Sequence, residues 1–185
     1  MNFEEIRSEL SIRGKNGLGF LLAGVVVWII ISVIFFTNLE IYYKTIGMLF
    51  ATGIMFPLSI AFNGLLKADW KLEGNPLSSL GLILNFAQFI YFPILIWAIG
   101  TNTELAVFIF AIITGAHFFP YGWFYQSKAY YIMSPVLSIA VMVIGWNLAV
   151  EKLWIIPLTT VILLSILVIW LYQEYRAKLN RLSRS

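Results

Sequence analysis

The one histidine of this chain, His117, sits inside residues 114–131, TGAHFFPYGWFYQSKAYY, between two long apolar runs. An imidazole can exchange a proton near neutral pH, ligate a metal or orient a bound molecule. Thr114, His117 and Tyr121 step by three and four, which places them on one face of a helix. The same spacing recurs upstream. Ser78, Gly81, Asn85 and Gln88 form one stripe, Thr52, Ser59 and Asn63 a second, and Ser134 with Ser138 a third, one turn beyond Tyr130. All of this is uncharged hydrogen-bonding chemistry. With the rings and the amide that follow His117, it defines a candidate ligand-binding set: Asn63, Asn85, Gln88, His117, Tyr121, Trp123, Tyr125 and Gln126.

Other chemistries find little to work with. The chain has no cysteine and no second histidine, and no carboxylate accompanies His117 within an apolar run. A metal centre needs several such ligands together, so no metal and no cofactor is expected. Ser134, Ser138 and Tyr121 could partner a histidine general base, but no motif ties them to it. No catalytic residue is assigned, and nothing calls for a nucleic-acid partner.

The elements that must position these residues are membrane helices. The 185 residues are 61% hydrophobic and 11% charged, with a mean hydropathy of +0.88, against about 25% charged in soluble domains. Six apolar runs fall near residues 18–37, 45–65, 77–98, 104–121, 129–149 and 153–173, each close to the ~20 residues that a spanning helix needs. Strands of a membrane barrel would alternate instead. The expected fold is all-α, with six transmembrane helices in one bundle over residues 17–173. Residues 1–16 precede it as a short amphipathic segment lying at the membrane interface, with Asn2 and Glu5 in a capping arrangement. They read as a retained segment and not as a cleaved signal. Residues 174–185 follow as a basic tail that would attract anionic headgroups. The connection at 66–76 reads as a solvated loop, with Asn75 capping the next helix and Pro76 starting it. Pro57 and Pro93 are candidate kinks. Leu58-Ser-Ile-Ala61 recurs as Leu137-Ser-Ile-Ala140, each behind a proline, as an inverted repeat would require.

Placing the N-terminus in the cytoplasm puts ten of the twelve basic residues on the inside and leaves only Lys44 and Lys152 outside. The positive-inside rule then makes both termini cytoplasmic.

Neutral polar groups at membrane depth must face protein or water. Two arrangements satisfy this: hydrogen bonds between helices, or the lining of a polar cavity. The motif Gly115-Ala-His-Phe-Phe-Pro120 and the aromatic run after it resemble a group of small bacterial multi-pass membrane proteins. That resemblance implies a bacterial plasma membrane and lends no activity. The reading carried forward is a protein that binds, and could transport, a small or amphipathic molecule in a cytoplasm-facing polar and aromatic pocket. The alternatives are a scaffold or interaction subunit, acting as a homo-oligomer through its lipid-facing surface, and an intramembrane enzyme using His117.

Overall fold

The computed structural model describes residues 2–183; Met1, Arg184 and Ser185 lie outside the description. It is helical, with no strand among these residues. In chain order the helices are α1 (Phe3–Arg13), α2 (Leu18–Phe36), α3 (Ile41–Gly53), α4 (Met55–Leu66), α5 (Ser78–Ala87), α6 (Phe92–Thr101), α7 (Glu104–His117), α8 (Phe119–Phe124), α9 (Lys128–Gly145) and α10 (Ile155–Leu182). Among the described residues five helical stretches are long and apolar enough to cross a bilayer, and six when the bent pair α3–α4 counts as one.

The core is a packed wall of α2, α7, α9 and α10, with α4 laid along α2. Ile31, Val107, Leu137, Leu164 and Leu167 are almost fully buried there. Small residues allow the closest approaches. A Cβ on Gly115 of α7 would lie 2.5 Å from Ser138 Oγ of α9, and the Ser134 hydroxyl donates to the Gly115 carbonyl at 2.7 Å. Tight, small-residue crossings with a hydroxyl bond across them are how helices associate where no water drives them together.

Prolines shape three of the spans. Pro57 has no N–H for the carbonyl of Gly53, and α3 meets α4 at a 42° bend one turn earlier. Pro93 withholds its donor from Phe89, and residues Gln88–Tyr91 tighten into a 3₁₀ turn in which the Phe92 N–H reaches the Phe89 carbonyl instead. Pro120 opens α8, and the break falls at Phe118, whose N–H turns back to Ala116 and Gly115. Pro135 leaves α9 unbroken, so the two proline-led tetrapeptides sit in helices of different form.

α1 begins with the expected capping box: the Glu5 N–H donates to Asn2 Oδ1, and the Asn2 N–H donates to Glu5 Oε2. It does not lie free on a surface. It docks across the end of the bundle that carries both termini, with Leu10 and Ser11 wholly buried. The 66–76 connection packs against it and is not simply solvated. Leu72 is buried, Arg13 pairs with Asp69, and the Asn75 amide donates to Ile6 O and Glu9 Oε2 at 3.0 Å each. Asn75 Oδ1 accepts from the Leu77 N–H, and helix α5 starts only at Ser78, two residues past Pro76. α10 has 28 residues, about 42 Å at 1.5 Å per residue. That exceeds a hydrocarbon core of about 30 Å, and its end packs into the same terminal cap, where Lys178 bonds Ser11 and Tyr125.

Candidate functional site

The bundle encloses a cavity of about 270 Å³. The three helix breaks all border it: Gly53 and Met55 at the α3–α4 bend, Gln88 and Phe89 in the 3₁₀ turn, and His117 and Phe118 where α7 gives way to α8.

One side is aromatic. The Tyr121 and Tyr125 rings stack at 6.0 Å and 16°, Tyr125 and Tyr130 at 6.0 Å and 21°, and His117 meets Tyr121 edge-on at 5.3 Å. Trp28 of α2 stacks on Phe110 of α7 at 5.2 Å and adds a second pair of rings. Gly17, at φ +74°, passes so close under Tyr125 and Tyr130 that a Cβ there would lie 2.9 Å from the Tyr125 ring; both its backbone conformation and its contact require glycine.

The polar groups of the cavity differ in how they are satisfied. Thr52, Ser59 and Thr114 donate back to carbonyls of their own helices, the usual recourse of hydroxyls in apolar surroundings. Asn85 Nδ2 donates to Gly81 O at 2.9 Å, which leaves its Oδ1 available. The Tyr121 hydroxyl is buried and has no hydrogen-bond partner. His117 and Gln88, both half-buried, share no hydrogen bond with another described residue. Ser134 and Ser138 give their protons to Gly115 O and Ile112 O, so neither is presented to the imidazole as a nucleophile. The site can therefore hold an uncharged molecule between rings and exchange hydrogen bonds with it. It offers no paired acid and base.

Of the eight residues singled out from the sequence, five border this cavity: Asn85, Gln88, His117, Tyr121 and Tyr125. Asn63 is buried between α2 and α4. Its amide lies against Gly19, where a Cβ could not fit, and Nδ2 donates to Ser59 O at 2.8 Å. Trp123 and Gln126 lie in the terminal cap. Trp123 packs on Phe3 and under the Arg7 guanidinium, 4.6 Å from the ring centre, and its carbonyl accepts from Arg7. Gln126 donates to Glu4 Oε2 at 2.6 Å. Both anchor α1.

Sequence reasoning missed a second polar centre. Asn16 is fully buried. Its Oδ1 accepts from Ser11 Oγ at 2.6 Å and from Lys178 Nζ at 3.0 Å, its Nδ2 donates to Leu171 O, and its carbonyl accepts from the Tyr130 hydroxyl at 2.9 Å. Lys178 also donates to Ser11 Oγ and to Tyr125 O at 2.6 and 2.7 Å. Lys178 is thus not a free charge of the basic tail, whereas Arg176 and Arg181 stay exposed. Glu174 accepts from Ser127 Oγ and from the Ala129 N–H and starts α9 as a side-chain cap from another helix. The sequence signal was an Asn-Gly pair between two helices, a left-handed turn, which spoke of a bend and not of a hub.

The family model of a family of unknown function, DUF7010, matches residues 3–174. The chain belongs to that family. No curated protein and no solved structure matches it.

Proposed function

We propose that this protein is a six-span protein of the bacterial plasma membrane, with both termini cytoplasmic, that binds a small uncharged or amphipathic molecule in the cavity between α2, α4, α5 and α7, and that it could carry that molecule. The observation behind the binding reading is the convergence at one cavity of an unpartnered buried Tyr121 hydroxyl, the free Gln88 amide, the His117 ring and a wall of stacked tyrosines. A buried donor without a partner costs about 1–3 kcal/mol, and a bound acceptor would relieve that cost. At 270 Å³ the space lies just below the usual range for ligand pockets, about 300–1,000 Å³, and suits a small molecule.

The orientation rests on charge. The connections that carry most of the lysines and arginines gather at one end, with α1 and the end of α10, and the bent α3–α4 pair counts as one crossing. A reporter fused after Ser185 should be active on the cytoplasmic face; activity on the opposite face would refute the assignment. The cavity reading is tested by extracting the detergent-purified protein with organic solvent and identifying what co-purifies. A small molecule present at near-stoichiometric amount, and lost in His117→Ala and Gln88→Leu variants that still fold, is the expected result. An empty extract, with no thermal stabilisation by small neutral ring compounds, would overturn it.

A second reading, a homo-oligomeric interaction subunit, draws on the span formed by α5, the 3₁₀ turn and α6, most of which is exposed. The mass of the detergent-solubilised particle distinguishes a single copy from an assembly.

A further inference from the structure

The cavity's lining is buried on one side and exposed on another. Toward the terminal cap its floor is Gly17, Tyr125 and Tyr130, all buried and overlaid by α1 and the Asn16–Lys178 network. The exposed lining residues, Gly53, Phe56, Leu82, Phe86 and Phe89, all belong to α3–α4 or to α5 and its 3₁₀ turn. Between these two bent spans there is no substantial helix contact. The opening therefore faces sideways, at the depth of the hydrocarbon, and its rim is wholly apolar. A water-soluble ligand would have to cross lipid to reach it. A lipid-dissolved one would already be there.

We infer that the cavity, taken as the binding site proposed above, is entered laterally from the bilayer between α4 and α5, and that its ligand is a membrane-dissolved amphiphile: an uncharged ring head bearing carbonyl or ether oxygens, with an apolar tail. The head sits among Tyr121, His117, Gln88 and Asn85, whose hydroxyl, imidazole and amide groups can donate to such oxygens. The flat tyrosine wall stacks on its ring. The tail leaves past Phe56, Phe86 and Phe89 into the acyl chains. The cavity's 270 Å³ lies just below the usual range for ligand pockets, which suits a ring head whose tail stays outside. The absence of any ionised side chain among the lining residues excludes a charged headgroup, since nothing would offset its desolvation.

The test uses the full chain in nanodiscs and two compounds with one head, 2,3-dimethoxy-5-methyl-1,4-benzoquinone and its decyl-tailed form, titrated by quenching of tryptophan fluorescence and by thermal shift. Trp28 lies in the cavity wall, and the quenching component lost in Trp28→Phe reports the site. The tailed compound should saturate it at a total concentration at least tenfold lower than the bare head. Gly53→Leu narrows the opening without crowding the fold, because a Cβ at Gly53 meets nothing within 4 Å. It should weaken the tailed compound at least tenfold and the bare head by a much smaller factor. Equal affinities for the two compounds, or a Gly53→Leu variant that weakens both by the same factor or neither, would overturn lateral entry while the cavity reading stands. No site-specific response to either compound would sink this ligand class, and the solvent-extract result would then decide the cavity reading separately.

Discussion

Replacing Asn16 should reveal whether the terminal cap is held as described, through an inversion of the usual order of substitutions. Asn16 adopts φ 54° and ψ 22°, the left-handed region that costs an ordinary L-residue about 1–2 kcal/mol. Its side chain makes three buried hydrogen bonds, to Ser11, Lys178 and Leu171. Two of these are neutral, worth about 1 kcal/mol each, and one is charge-assisted, worth about 2 kcal/mol. Lys178 keeps two other acceptors, Ser11 Oγ and Tyr125 O, so its ammonium is not stranded. Asn16→Gly should therefore lose about 4 kcal/mol. Asn16→Ala should lose the same bonds plus about 1 kcal/mol of backbone strain. Glycine should thus be the better replacement, although alanine is ordinarily the more stabilising residue within a helix. Thermal unfolding of the purified protein in one detergent, followed by circular dichroism, measures both variants. An alanine variant as stable as the glycine variant, or two variants indistinguishable from the wild type, would refute the positive-φ hub.

Three further outcomes follow from separate contacts. The Arg13 guanidinium, hydrogen-bonded to Glu9, holds that carboxyl below its ordinary 4.5; for Asp69 burial pushes upward, but hydrogen bonds from Arg13 and the Leu72 N–H bring it below its ordinary 3.8. The sign is that of depressed acids: the stabilisation is complete above the unfolded values and is lost as pH falls through the lower folded ones. Amide exchange in α1 should thus be unchanged down to about pH 4.5 and accelerate below it, by a modest factor because the pair is partly exposed; Arg13→Ala should show the faster exchange already at pH 7. Gly115→Ala drives a methyl into Ser138 and should cost about 1–3 kcal/mol by overpacking, read as a lower melting temperature, whereas an unchanged one would mean α7 and α9 are not this close. Tyr121→Phe removes a buried hydroxyl that has no partner. It should leave the ligand-free protein as stable or more so, by up to about 3 kcal/mol, while lowering occupancy by whatever co-purifies; a clear loss of stability in the empty protein would show that the hydroxyl is already satisfied.

The apolar runs announced the spans because hydrocarbon selects composition directly. Leu18–Phe36 and Ser78–Thr101 fall within a few residues of the runs expected at 18–37 and 77–98. The three-and-four spacing carried Asn85, Gln88, His117 and Tyr121 to one cavity, since a stripe on a helix survives whichever neighbour it meets. Spacing could not say what lies opposite a stripe, and there Asn63 was lost: it satisfies itself on Ser59 O and fills the space that Gly19 leaves. Trp123 and Gln126 belong to the aromatic stretch by sequence but fall beyond the α7–α8 break. Contacts to Arg7 and Glu4, more than a hundred positions away, decide their place. Lys178 was invisible for the same reason. In a basic tail it reads as a solvated charge, and only the docking of α1 supplies its acceptors.

Proline content alone does not produce the cavity. Pro135 lies inside α9, and that helix does not break; Pro157 falls in the first turn of α10, where no helical donor is missed. α9 belongs to the packed wall, where close neighbours resist a bend. The Ser134 hydroxyl, one residue before Pro135, bonds across to α7. Pro57, Pro93 and Pro120 lie in spans that border open space on at least one side, and there the missing donor becomes a bend, a 3₁₀ turn and a helix break. The freed carbonyl of Phe89 is taken up by the Phe92 N–H, and the Phe118 N–H bonds Gly115 O at 3.2 Å, so part of the backbone freed at the breaks is partnered again. Cavity and breaks thus sustain each other. The cavity removes the packing that would keep the helices straight, and the breaks line the space with Gln88, Phe89, His117 and Phe118.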